Sequence, residues 1–330
     1  MKNVKLKLAV LGAFSMLSVQ AMATGLVPLP TAGFVVAAGA NQPAGTTAYT
    51  RCNTTGNYGS TIATAPTAGA NNTCAVFPAN VNTSPVATVA TAIPAGSTNL
   101  LAVNANGVLL LNLNQKTWRN AGNTECVFGK QVKMAATSTF DYNPLRPGNN
   151  PMEVNDIALG GFSATPTVNA GYYYPATQGS VIYRVGRAFT SVQTQAATAG
   201  SASLGANYVH RPINSPAPPA NTEINGTGIQ SPYPFAVAQA PTAAQQTAEI
   251  RTNWVDFTMD VTGGADEDGV GEGGTTLTPF SPWLYVQGSC NGTVTNLANS
   301  IILRQAGQES QPWVTVKISG FVRNTANANF

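Results

Sequence analysis

Apolar and polar residues alternate with a period of two late in the chain. Val255, Phe257, Met259 and Val261 interleave with Asp256, Thr258 and Asp260. In a pleated strand that period puts one set on each face. The spacing therefore predicts a half-buried strand with its acids turned to water, whereas a helix would scatter the same apolar residues around its cylinder. "PWLYVQGSC" (282–290) and "PWVTVKISGFVRN" (312–324) read the same way, the latter with Val314, Val316 and Ile318 on one face. "NLLAVNANGVLLLNL" (99–113) predicts two strands joined around Asn104-Ala105-Asn106-Gly107, because Asn-Gly suits a tight hairpin turn. "CVFGKQVKMAATSTF" (126–140), "VNDIALGGF" (154–162) and "SVIYRVGRAFTSVQ" (180–193) are further strand candidates.

Many short strands with turns between them predict an all-β fold, a β-sandwich of jelly-roll-like kind with long irregular loops and little helix. No fixed-period repeat is visible, which argues against a propeller or solenoid. Composition agrees. Only 9% of residues are charged, so the Glu, Lys and Arg on which soluble helices rest are scarce, while 32 Gly and 22 Pro supply turns. Organisation falls into three parts: residues 1–23, an Ala/Thr/Asn/Gly-rich, loop-dominated segment over 24–95, and a sandwich over 96–330 with low-complexity loops at 194–222. The second part is expected to pack on the body under a local disulfide; a stalk is the rival reading.

Residues 1–23 have the form of a secretory signal. Lys2, Lys5 and Lys7 precede the short apolar run "LAVLGAFSMLSV", and Ala21-Met22-Ala23 makes an A-x-A cleavage site. That run is too short to span a bilayer and no later stretch is long and apolar enough, so no transmembrane segment is expected in the mature chain. The expected location is secreted, extracellular or at the cell surface, with the periplasm an alternative. Cleavage takes three lysines and no acid, so Lys+Arg falls from 16 to 13 and equals the 13 Asp+Glu. Without a basic patch, nucleic acid is not an expected partner. Cys52, Cys74, Cys126 and Cys290 all lie beyond the signal, and an even count in an exported chain predicts two disulfides. Three pairings exist; Cys52–Cys74 with Cys126–Cys290 is preferred. No C-x-x-C occurs, which counts against a redox or zinc-ribbon site.

One stretch concentrates the acids: "DVTGGADEDGVGEGG" (260–274) holds five of the 13. Calcium takes six to eight oxygens from closely spaced carboxylates and carbonyls on a backbone that turns sharply. Asp260, Asp266, Asp268 and Glu272 are therefore candidate calcium ligands, and calcium the one candidate cofactor. An EF-hand register fails, since it would put Gly264 first and Thr275 twelfth. The competing reading is a solvated loop whose charges keep a sheet edge from pairing.

Catalytic signals are thin. His210 is the single histidine, so multi-histidine metal sites are excluded. "GFSAT" (161–165), with Ser163, lacks the closing glycine of a nucleophile elbow. Glu125, Asp141, Glu153, Asp156, Glu223, Glu249 and Asp256 are the candidate carboxylates outside the acidic stretch, and no spacing pairs two of them for glycoside hydrolysis. Tyr172-Tyr173-Tyr174 with Trp118, Trp254, Trp283 and Trp313 offer a sugar platform, though such aromatics more often pack a sandwich. The expectation is an exported, non-catalytic cell-surface or matrix protein that self-associates or meets surface glycans. A calcium-dependent adhesin or carbohydrate-binding module is the alternative, and a secreted glycosidase or esterase the third reading.

Overall fold

The computed structural model describes residues 25–36, 45–53, 64–93, 99–105, 108–135, 152–162, 165, 167–175, 180–188, 190–191, 211–212, 250–262, 279–306 and 313–323. Among these there are strands and no helix. Accordingly none of them forms a helix long and apolar enough to cross a membrane.

The protein is a β-sandwich of two antiparallel sheets. The first has seven strands: β1 (Val27–Leu29), β5 (Thr91–Ala92), β6 (Asn99–Ala105), β7 (Val108–Arg119), β8 (Glu125–Met134), β10 (Val168–Tyr173) and β15 (Trp283–Ser289). They run in the order β1-β10-β15-β8-β7-β5, and β6 shares the outer edge of β7 with β5. The second sheet has six: β4 (Tyr49–Arg51), β9 (Glu153–Gly160), β11 (Arg184–Gly186), β14 (Trp254–Thr262), β16 (Val294–Ala306) and β17 (Trp313–Arg323), ordered β17-β16-β9-β14-β11-β4. Two small ribbons complete the described strands, β2 (Phe34–Val36) with β3 (Gly45–Thr47) and β12 (Thr190–Ser191) with β13 (Arg211–Pro212).

The expected Asn-Gly hairpin is present, Ala105 pairing with Val108 across the turn between β6 and β7. Between the sheets lies one apolar core. Leu111, Leu113, Phe128, Val132, Tyr172, Leu284 and Val286 from the first sheet meet Ile157, Leu159, Val185, Val255, Phe257, Ile301 and Leu303 from the second. Both disulfides are formed, Cys52–Cys74 and Cys126–Cys290, joining residues 22 and 164 positions apart. Cross-links of this kind belong to an oxidising compartment.

In two places the strands depart from the pattern read in the sequence. β14 is not half-buried: Asp256 and Thr258, opposite Val255 and Phe257 on the pleat, are as fully enclosed as they are. The reason is that the outward face of the second sheet is covered there, with Tyr49 and Arg304 beside the Asp256 carboxylate. β16, the longest strand, had no alternating signal because a register shift between Leu297 and Ile301 interrupts its pairing with β17, where Asn299 takes a left-handed φ of 58°. Bulges of this kind locally break the period of two.

The N-terminal chain enters both sheets, β1 at one edge of the first and β4 at one edge of the second. After them in the chain, residues 74–93 cross the outward face of the first sheet. Val76 and Val89 bury themselves there against Trp118, Val127, Trp283 and Tyr285. The strap lies close: a Cβ on Gly171 would stand 2.6 Å from the carbonyl oxygen of Cys74, so only glycine admits it. Lys116 ties it down, its Nζ donating to the carbonyl of Val81 at 2.8 Å while lying 4.7 Å from the Trp283 ring centre.

Candidate functional site

Three assemblies of polar side chains stand out, and two of them are sealed inside the fold. On the outward face of the second sheet, pairing sets Arg304 opposite Asp156, Asp156 opposite Thr258 and Thr258 opposite Arg184. One pleat along, Asp256 stands opposite Gly186, and Gly186 opposite Tyr49. Gly186 is required here, since a Cβ on it would come within 2.1 Å of the Ala48 carbonyl oxygen. Arg304 Nε donates to Asp156 Oδ1 at 2.6 Å, and its Nη2 lies 3.6 Å from Asp256 Oδ2. The Tyr49 hydroxyl donates to the same Asp256 oxygen at 2.5 Å, and the Arg184 guanidinium lies 5.2 Å from the Tyr49 ring centre. All six side chains, Thr258 included, are buried.

Burial pushes the Asp256 carboxyl up to about 6, against the pull of Arg304 and the Tyr49 hydrogen bond. The Tyr49 phenol is driven well above its ordinary range, first by burial and then by the Asp256 charge. Buried acids stay ionised only where cations and donors surround them. The cluster thus joins five strands across the sheet, and its carboxylates are out of reach of any external substrate.

The second assembly lies in the core. Lys130 on β8 and Gln115 on β7 are directly opposed and point between the sheets. Lys130 Nζ donates to Gln115 Oε1 at 2.5 Å and to the carbonyl of Phe321 at 2.7 Å. The Phe321 N–H donates to the same Gln115 oxygen at 2.8 Å. The pair therefore occupies backbone groups of β17, the edge strand, that no strand pairs with. Desolvation brings the Lys130 amine down to about 7.

The residues singled out in the sequence distribute as follows. Of the candidate calcium ligands only Asp260 is described; it is half-buried at the end of β14, and its N–H donates to Ser180 Oγ at 3.0 Å. Asp266, Asp268 and Glu272 lie outside the described residues, as do His210, Ser163, Asp141, Glu223 and Glu249. No group of acids, histidines and cysteines able to hold a metal occurs among the described residues. Glu153 is buried and accepts from Asn155 Nδ2. Asp156 and Asp256, which no spacing paired, share Arg304. The tyrosine run does not form a platform: Tyr172 is in the sandwich core, and Tyr173 packs on the opposite face beneath the strap. Trp118, Trp254 and Trp283 are likewise buried.

The third assembly is open. A groove of about 380 Å³ lies on the outward face of the first sheet beyond the strap. Asn169 of β10, Gln287 of β15 and Glu125 of β8 cross it on three neighbouring strands, with Thr124, Thr167 and Ser289 around them. Asn169 Nδ2 donates to Gln287 Oε1 at 3.2 Å, and Gln287 Nε2 donates to Glu125 Oε1 at 2.8 Å. Sequence reasoning reached only Glu125, and that as a candidate acid. Asn169 and Gln287 are 118 residues apart and ordinary in type, so no local signal marked them. Compared with known protein families, characterised proteins and solved structures, the chain matches no family model, no relative and no fold neighbour.

Proposed function

We propose that this chain is an exported, non-catalytic β-sandwich that works outside the cytoplasm, at a cell surface or in an extracellular matrix. The observation that carries the reading is the pair of formed disulfides, one of them fastening the N-terminal strap and the other clamping β8 to the chain just after β15. Burial of the outward faces around Trp118, Trp283 and Tyr285 on the first sheet and around Arg304, Asp156 and Asp256 on the second supports a rigid scaffold role. The carboxylates that come together, Asp156 and Asp256, are held by Arg304 away from solvent, an arrangement suited to stiffness. The experiment is fractionation of cells expressing the full chain beside a cytoplasmic marker. Recovery in the medium or envelope with the leader removed supports the reading; recovery of the full-length chain with the cytoplasmic marker sinks it.

Self-association through sheet edges belongs to the same reading. β1 and β4 are three residues each, but β6 and β17, seven and eleven residues long, are also edge strands among the described residues, and of β17 only the Phe321 backbone groups are taken by Lys130 and Gln115. Long edges give a second sheet something to pair with. Light scattering at high concentration reads this directly, a mass above the monomer being expected and a strictly monomeric one counting against it. Calcium-dependent adhesion remains a second reading, motivated by the acidic stretch alone. Calorimetric titration with calcium tests it, and absence of heat and of a melting shift at millimolar calcium removes it.

A further inference from the structure

We propose that the groove crossed by Asn169, Gln287 and Glu125 is a binding site for a neutral, hydroxyl-rich ligand, a sugar unit of a surface or matrix glycan. The inference deepens the exterior role proposed above and rests on it for the source of the ligand, not for the chemistry of the site.

The geometry of the three side chains decides the class of ligand. A carboxylate only accepts hydrogen bonds. Glu125 Oε1 therefore fixes the Gln287 amide with its nitrogen toward β8, and Gln287 Oε1 in turn fixes the Asn169 amide with its nitrogen toward β15. Neither amide can flip without breaking the relay. What is left over is an ordered row: Asn169 Oδ1 as acceptor, an N–H on each of Asn169 and Gln287, and Glu125 Oε2 as acceptor. Gln287 is only 9% exposed and sits in the groove floor, so the row is stiff before any ligand arrives.

A row that mixes donors and acceptors matches groups that both give and take hydrogen bonds, as vicinal hydroxyls do. Anions fit poorly, because Glu125 supplies negative charge and no cation among the described residues lines the groove. A divalent cation finds a single carboxylate where it needs several oxygens of that kind. Thr124, Thr167 and Ser289 add hydroxyls at the rim, and the volume falls in the range of small-ligand sites. The buried aromatics under the strap take no part, so recognition depends on hydrogen bonding and is weak and orientation-specific.

Saturation-transfer NMR on the mature, disulfide-bonded protein tests the proposal, with neutral glucan, mannan, galactan and N-acetylglucosamine oligomers as probes at millimolar concentration. At least one is expected to show transfer, weakened about tenfold or more in Asn169→Ala and in Glu125→Gln, each retaining the wild-type melting point within a few degrees. Lys317→Ala, on the exposed side of β17, is expected to bind as wild type. Transfer with the monomer as well as the oligomer assigns the site to a single sugar unit; transfer with the oligomer alone assigns it to an extended chain, and both support the site. No transfer with any probe, or transfer untouched by both variants, overturns it. Either result leaves the exterior location standing, since that is read by fractionation.

Discussion

On the first sheet the face turned away from the core is closed by aromatic rings under a strap; on the second the corresponding face is closed over carboxylates, guanidinium groups and a phenol. Trp283 and Tyr285 stack with ring centres 6.5 Å apart, and Trp118 tilts against Tyr285 at 6.1 Å. An apolar cover of that kind is nearly indifferent to direction and to pH. The ionic cover is neither. It stabilises only while every charge keeps its counterpart, because a single buried ion left unpaired costs several kcal/mol. Two sides of one sandwich thus have different vulnerabilities, and the groove lies at the open end of the tolerant side, where polar groups remain free for a ligand.

The largest effect is expected on the ionic side. Arg304→Met leaves Asp156 and Asp256 enclosed without their shared cation and should destabilise by about 3–5 kcal/mol in urea unfolding. Trp118→Ala on the apolar side should cost about 3 kcal/mol through lost transfer energy and an unfilled cavity under the strap, with the same cost at pH 5 and pH 8. If Arg304→Met proves mild and pH-independent too, the contrast between the faces is wrong.

Between the sheets, Lys130 gives a smaller effect with a definite sign. Its folded-state value of about 7 lies below the ordinary 10.5, so in the window from about 7 to 10 the unfolded chain binds a proton that the folded chain does not. Stability should therefore rise with pH there, by about 2 kcal/mol between pH 7 and 9. Lys130→Met should flatten that rise; an unchanged slope would show that the amine is solvated. Asp256→Asn is the mildest test, at about 1 kcal/mol near pH 7, since the amide oxygen still accepts from Tyr49. Asp256 titrates higher folded than unfolded, so its own contribution is full below about 4 and declines as pH rises through about 6. The asparagine variant should lose that decline.

Much of this frame was legible in the chain. Asn104 to Gly107 marks the β6–β7 hairpin because few residue pairs turn so tightly, and an even count of four cysteines points to two bridges. What could not be read is the second covering layer. Asp156, Asp256 and Thr258 look like the wet side of half-buried strands, since alternation tells which residues share a face and says nothing of what covers it. The same blindness hid β16, where Ile301, Ile302 and Leu303 are consecutive because both faces are buried beside the bulge. Tyr172 and Tyr173 offer a platform only as the weaker reading beside packing, and they pack, on opposite faces as neighbours in a strand must. The groove is the extreme case. Its Gln287–Glu125 contact spans 162 residues and exists only through the pairing of β15 with β8.

The reading of an exported, covalently fastened sandwich meets its most direct test in non-reducing peptide mapping of the protein recovered from cells. The account predicts one cross-linked peptide pair carrying Cys52 with Cys74, another carrying Cys126 with Cys290, and no cysteine open to alkylation. Alkylated cysteines in the native protein, or bridges joining the four in any other combination, would contradict it.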